Sequence, residues 1–245
     1  MATRYPILWL TVRQFRAGKT IRVAAFFAAI SVILGAIYQL GPQEEGGQAF
    51  LAGVYLNLLA PTVVPLATLI LATSAFGSEI GDYTLPYLVL KPISRARIVL
   101  EKYVAVVAVV GLFFLIGLAL TWGTVVAGDG EGDWSLLAAL VGAALGGVFA
   151  YGALFLLVSL LTQRALVLGI IYVLLWESLL ARFIPGIQVL SVRHFTDSIF
   201  AEATDQVALL PASATHLDTS ALVLAGLVVV ALALATLRLR TMNVD

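Results

Sequence analysis

Cysteine is absent from the 245 residues, histidine occurs twice, and only 11% of the residues are charged. Each shortage excludes something. Without cysteine there is no disulfide, no thiolate metal site and no cysteine nucleophile. Both histidines, His194 and His216, lie outside the long apolar runs, and no such run contains an aspartate. An intramembrane protease of the serine type needs a membrane serine with a membrane histidine, and one of the aspartyl type needs two membrane aspartates. Neither set is present. The shortage of charge matters most. A soluble domain carries about 25% charged residues, whereas here 61% are hydrophobic and the mean hydropathy is +1.04. No water-soluble fold of this length hides that much apolar surface. Net charge is zero, so the total says nothing about partners, and no nucleic-acid partner is expected.

What is present is a set of long apolar runs. About 20 apolar residues are needed to cross the hydrocarbon core as a helix. Six runs qualify: Val23–Leu40, Phe50–Phe76, Ile98–Ala127, Trp134–Leu161, Ala165–Ile184 and Ser220–Leu237. The second, third and fourth exceed a minimal span and are expected to tilt, kink or project beyond the bilayer. None alternates apolar with polar residues as a barrel strand would. The expected fold is therefore an all-α polytopic membrane protein of six transmembrane helices, a single transmembrane domain over residues 1–245. The first run is too long for a cleavable signal and lacks a small-residue cleavage site. No internal repeat is evident.

Positive residues stay on the cytoplasmic side. Arg4, Arg13, Arg16, Lys19 and Arg22 precede the first run. Lys91, Arg95, Arg97 and Lys102 lie between the second and third, Arg164 between the fourth and fifth, and Arg238 and Arg240 in the tail. Twelve of the fourteen positive residues thus fall on one side. Both termini are expected to be cytoplasmic, and residues 185–219 external. His194 and His216 in that external region, lacking ligand spacing, read as ordinary surface residues, and no metal site is expected.

Residues 1–22 read as a cytoplasmic helix lying in the membrane surface. Pro6 starts it; Ile7, Leu8, Leu10, Val12 and Phe15 interleave with Arg13, Arg16 and Lys19, and Trp9 is an interface-seeking residue. Gly18-Lys19-Thr20 imitates the end of a phosphate-binding loop, but Arg13 stands where that motif needs its first glycine. Nucleotide binding by this chain is rejected. If ATP drives it, ATP and Mg belong to another subunit, and this chain holds no cofactor.

The charged segment between the second and third runs, residues 77–97, reads SEIGDYTLPYLVLKPISRAR from Ser78 onward. A hairpin rise through Gly81 leads to a short helix that Thr84 can cap, with Pro86 tolerated in its first turn. The helix must end near Leu90, because Lys91 precedes Pro92. Ser94 can cap the third span. Leu85, Tyr87, Leu88, Val89 and Leu90 make the short helix apolar, while Glu79, Asp82, Lys91, Arg95 and Arg97 frame it. Such a helix needs a groove, supplied either by this chain or by a partner.

The segment resembles the cytoplasmic loop of permeases of ABC transporter type 2 exporters. It matches the form E-x-x-x-G-T-l-x-x-L-l-x-x-P-[iv]-s-R-x-x-[il]-l-x-G-K at Glu79, Thr84, Leu85, Leu88, Pro92, Ile93, Ser94, Arg95, Ile98 and Lys102. Tyr83 and Glu101 stand where the family has glycines. Residues 182–218, with IPGIQVLSVRHF, are similar to the family's external re-entrant hairpin between spans five and six, which implies an external helical hairpin there. The resemblance implies a transport subunit of the prokaryotic plasma membrane, not an enzyme. Two copies would form the translocation path and dock two copies of a cytoplasmic ABC ATPase. The coupling residues would be Glu79, Asp82, Thr84, Leu85, Tyr87, Leu88, Pro92 and Arg95. It also implies export, with ATP binding driving the switch between inward- and outward-facing states.

Few polar residues interrupt the spans. Asn57, Pro61, Thr62 and Pro65 cluster in the second, where two prolines four apart free backbone carbonyls and kink the helix. That span either lines the path or holds an internally packed kink. Gly142 and Gly146 form a GxxxG pair expected to pack closely. Trp122, Trp134 and Tyr151 read as interface anchors or packing residues. Glu177 stands mid-span, where a charge costs about 2.5–3.5 kcal/mol. It is expected at the dimer interface or in the path, or as a structural contact between spans. A secondary carrier using Glu177 for an ion or proton is the alternative function, and a purely structural anchor the third. The substrate class is not legible.

Overall fold

The computed structural model describes residues 6–41, 46–81, 93–129, 132–180, 188–204 and 215–242. Among these the chain is helical throughout, with no strand. Helix is the outcome that apolar sequence and lipid together require, since hydrocarbon offers no partner for an unbonded N–H or C=O. The elements are α1 (Pro6–Ala17), α2 (Thr20–Leu40), α3 (Gly47–Val54), a π-helical segment π1 (Tyr55–Val63) and α4 (Val64–Gly81). They continue as α5 (Arg95–Asp129), α6 (Trp134–Leu161), α7 (Ala165–Ile171), a second π-helical segment π2 (Tyr172–Leu180), a 3-10 turn (Gln188–Leu190), α8 (Val192–Thr204) and α9 (Leu217–Thr241).

Five of these stretches are long and apolar enough to cross a membrane: Thr20–Leu40, Gly47–Gly77, Arg95–Gly128, Trp134–Leu161 and Leu217–Thr241. Of the fifth expected run, Ala165–Ile184, the structure describes the apolar helical stretch Ala165–Leu180, and the rest lies outside the described residues. One correction concerns Gly81, which was expected in a hairpin rise; α4 continues as helix through it. α5 does start directly after Ser94.

α6 sits at the centre and packs on α4, α5, α8 and α9, while α2 lies along α5. The α2–α5 contact is built from small residues. Ala24, Ala28, Ser31 and Gly35 are buried along one face of α2. A Cβ on Gly117 of α5 would stand 3.0 Å from the Ala28 carbonyl oxygen. Close backbone approach of this kind lets two apolar helices associate without a hydrophobic force between them. Gly117→Leu should therefore lower stability by about 1–3 kcal/mol, read as a drop in the melting temperature of detergent-purified protein. Gly123→Ala is the control, because its Cβ meets nothing within 4 Å. Equal melting temperatures for the two variants would refute the close crossing.

The close packing expected of Gly142 and Gly146 is not found: a Cβ on Gly142 meets nothing within 4 Å and one on Gly146 only ordinary contacts, Leu224 at 3.6 Å and Ile199 at 3.7 Å. The tighter approach is at Gly147, where a Cβ would lie 3.3 Å from Val64. At the link between α5 and α6, Asp133 caps α6 by accepting from the Ser135 amide at 2.8 Å. The same hydrogen bonds hold its carboxyl below the ordinary aspartate value. Trp122 donates to the Asp133 carbonyl at 3.1 Å and stacks on Trp134 at 4.6 Å. An apolar groove of about 380 Å³, lined in part by Tyr103, Phe149, Leu224 and Val228, opens between α5, α6 and α9.

Candidate functional site

Two polar clusters interrupt the apolar interior. The first ties together the ends of α1, α4 and α5. The stem Ile7, Thr11 and Phe15 buries one face of α1, leaving Arg13, Arg16 and Trp9 exposed. This face packs on α5, and the free N-terminal amides of α1 need acceptors. Glu101, 5% exposed, supplies one: a single carboxylate oxygen accepts from the Ile7 amide at 2.8 Å and the Leu8 amide at 2.9 Å. Its other oxygen accepts from Arg97 at 2.6 Å. Negative charge at a helix N-terminus is favourable. Glu101 occupies one of the two glycine positions of the loop motif, and its clasp on α1 was not legible from the motif.

The neighbouring residue, Lys102, points into α4. It is fully buried and donates to Glu79 at 2.7 Å and to the Ala75 carbonyl, with its ammonium 4.6 Å from the centre of the Phe76 ring. Glu79 is buried too. The two adjacent residues thus bind the start of α5 to two different elements, α1 and α4. Of the expected coupling residues, Glu79 and Arg95 stand at the two feet of the charged segment, at the end of α4 and the start of α5. Asp82, Thr84, Leu85, Tyr87, Leu88 and Pro92 lie outside the described residues.

The second cluster joins π1, π2 and α8. Pro61 has no N–H. In the π register its amide would have met the Leu56 carbonyl, and that carbonyl instead accepts from Arg193 Nη2 at 2.9 Å. Pro65 likewise leaves the Pro61 carbonyl open, and Ser178 Oγ donates to it at 3.2 Å. The two carbonyls freed by proline are thus satisfied by side chains from far along the chain, which is how a proline kink survives among apolar helices. Pro61 and Pro65 face inward, Thr62 is half-buried, and Asn57 is exposed, donating to the Gly53 carbonyl at 3.0 Å.

Glu177 of π2 is fully buried inside the chain, so it faces no lipid. One oxygen accepts from Tyr172 at 2.6 Å and from the Val192 amide at 3.2 Å. The other accepts from Ser191 and from the Arg193 amide at 3.3 Å. Val192 and Arg193 are the first two residues of α8, so Glu177 caps that helix from a different element. This is a structural contact, and it gives the carrier reading no support.

α8 lies in the region expected to be external and helical. At 13 residues it is too short to span, and it is largely buried against α6, with His194, Asp197 and Ser198 all buried. His194 was expected at the surface and is 6% exposed; His216 is exposed, as expected. The reason is packing: Phe195, Phe200 and Ala201 carry the adjoining polar residues inward with them. Tyr55 of π1 lies 4.8 Å from Phe200, ring to ring. Tyr151 is buried as packing rather than standing at an interface. Among the described residues, no three carboxylates or histidines gather to hold a metal ion.

Comparison with the curated proteins finds no match. Residues 12–184 match the family model described as ABC-2 family transporter protein, and this span is more than half of the chain. With five apolar helices of spanning length among the described residues, the central α6 one of them, the chain is a multi-pass membrane protein and belongs to the ABC-2 transporter family.

Proposed function

We propose that the chain is the permease subunit of an ATP-driven export complex. It works as a homodimer that forms the translocation path, and each copy docks a separate ABC ATPase through residues 77–97. The family supports a transport role and, in general, a nucleotide-binding partner. Both termini and the charged segment are cytoplasmic in this reading, in a prokaryotic plasma membrane, as the distribution of lysine and arginine favours.

The observation that carries the docking role is the double anchorage at the start of α5. Lys102 ties it to Glu79 at the end of α4, and Glu101 ties it to α1. Both feet of the charged segment are therefore fixed to helices that run into the membrane. A push on the segment would reach α4, α5 and α1 together. Path residues in this reading are Asn57, Pro61, Thr62 and Pro65, on the kinked stretch of the second span, with Glu177 acting from inside the protomer by fixing α8.

The test replaces Leu85 and Leu88 together with aspartate. Co-purification with the ATPase encoded beside it, or with one co-expressed, should be lost while membrane insertion is unchanged. Retention of ATPase binding at normal affinity, with normal stimulation, would refute docking through this segment.

A further inference from the structure

Beside His194, whose Nε2 is buried without a hydrogen-bond partner among the described residues, α8 carries Asp197, an acid whose hydrogen bonding is also incomplete. It is 7% exposed. Its Oδ2 accepts from Arg193 Nε at 3.1 Å, while its Oδ1 is buried with no partner among the described residues. Arg193 cannot turn wholly to it, because Nη2 is held by the Leu56 carbonyl. Glu177 next to it is met by four donors, the surroundings of a carboxylate. Two carboxyl groups lie in this buried interior, Asp197 on the Arg193 guanidinium and Glu177 on the Arg193 amide. An ionised Asp197 would leave a net negative charge there with one oxygen unsolvated, which is costly.

We propose that Asp197 is a proton-binding site: its buried carboxyl takes up and releases one proton, and the ionised form loosens the seat of α8 on the kinked span. Among the described residues, π1 contributes Tyr55, α6 contributes Tyr151, π2 contributes Glu177, and α8 itself contributes Arg193. Tyr151 Oη is also buried without a hydrogen-bond partner among the described residues, and the charges of both Glu177 and Asp197 act on it. α9 brings no ionisable side chain between Asp218 and Arg238.

The direction of the effect follows from the environment. Burial pushes Asp197 up to about 7 against the pull of Arg193, and Glu177 adds to the rise. A carboxyl raised in the folded state contributes stability that is complete in acid, below its ordinary value. That stability is lost as pH rises towards and through about 7. The neutral acid is therefore the seated form and the carboxylate the loosened one.

The test uses the full chain in lipid nanodiscs. Infrared spectra should show a protonated-carboxyl C=O band in mild acid that disappears on titration through neutrality and is missing in Asp197→Asn. The wild-type melting temperature should fall by roughly 5 °C or more from about pH 5 to about pH 9. Asp197→Asn should flatten that dependence. A wild-type melting temperature that does not change over this range overturns the proposal without any variant. So does a titrating band that survives in Asp197→Asn and vanishes in Glu177→Gln, which would place the proton on the other carboxyl.

Discussion

Lys102→Met should cost about 3–5 kcal/mol, because it leaves Glu79 buried without its cation. The ammonium makes two hydrogen bonds and lies over the Phe76 ring, and the side chain is fully buried. The loss should appear as a large drop in melting temperature and in the yield of monodisperse protein. Adding Glu79→Gln should recover much of it, since the uncompensated charge and not the missing contact is the larger penalty. Arg97→Met is the contrast. Arg97 is 47% exposed, and the buried Glu101 keeps the Ile7 and Leu8 amides as donors without it, so the loss should be smaller, about 1 kcal/mol. If Lys102→Met melts like the wild type, or if Glu79→Gln brings no recovery, the buried pair is not what holds α4 to α5. In the proposed complex the same variant should weaken ATPase stimulation more than ATPase binding. The segment would still be there to dock while its feet would no longer be joined.

Glu177→Leu should be nearly as damaging. The change removes the acceptor for the Val192 and Arg193 amides and for the Tyr172 and Ser191 hydroxyls. Each buried donor left unsatisfied costs about 1–3 kcal/mol, with the hydroxyls able to turn elsewhere. A total near 3 kcal/mol or above is expected, and it should be local. Amide hydrogen exchange at Val192 and Arg193 should rise far more than exchange in α6. Glu177→Gln should fall between, because its carbonyl oxygen keeps accepting while its NH2 confronts donors. Wild-type exchange at the start of α8 in Glu177→Leu would show that the carboxylate does not cap that helix. A transport role for the ionised group would give a different pattern, with Glu177→Gln fully stable and transport lost.

Much of the architecture was legible from residues alone. Runs of apolar sequence without alternation require membrane helices, because only an internally bonded backbone survives in hydrocarbon. Pro6 marked the start of α1, Ser94 the residue before α5, and Pro61 with Pro65 the distorted stretch of the second span. The family loop pattern lay in plain view at positions 79–102, and the family itself is borne out over residues 12–184. These features are local: each depends on a composition, a periodicity or a residue that restricts its own backbone.

What the tertiary structure alone decided is where the few charged groups find their partners. Arg193 reaches a carbonyl 137 residues away, Glu101 reaches an amide 94 residues away, and Glu177 caps a helix that starts 15 residues later. No periodicity within one helix encodes such pairings, because helical spacing relates residues three or four apart on a single element. For the same reason His194 of α8 read as a surface residue: the apolar neighbours that carry it inward, and the groups that satisfy the charges beside it, were not visible. An apolar interior makes each unsatisfied polar group expensive. The freed carbonyls of π1, the open amides of α1 and α8, and the buried ends of Lys102 and Glu177 therefore had to meet, and only the packing of the helices against α6 and α5 determined which met which.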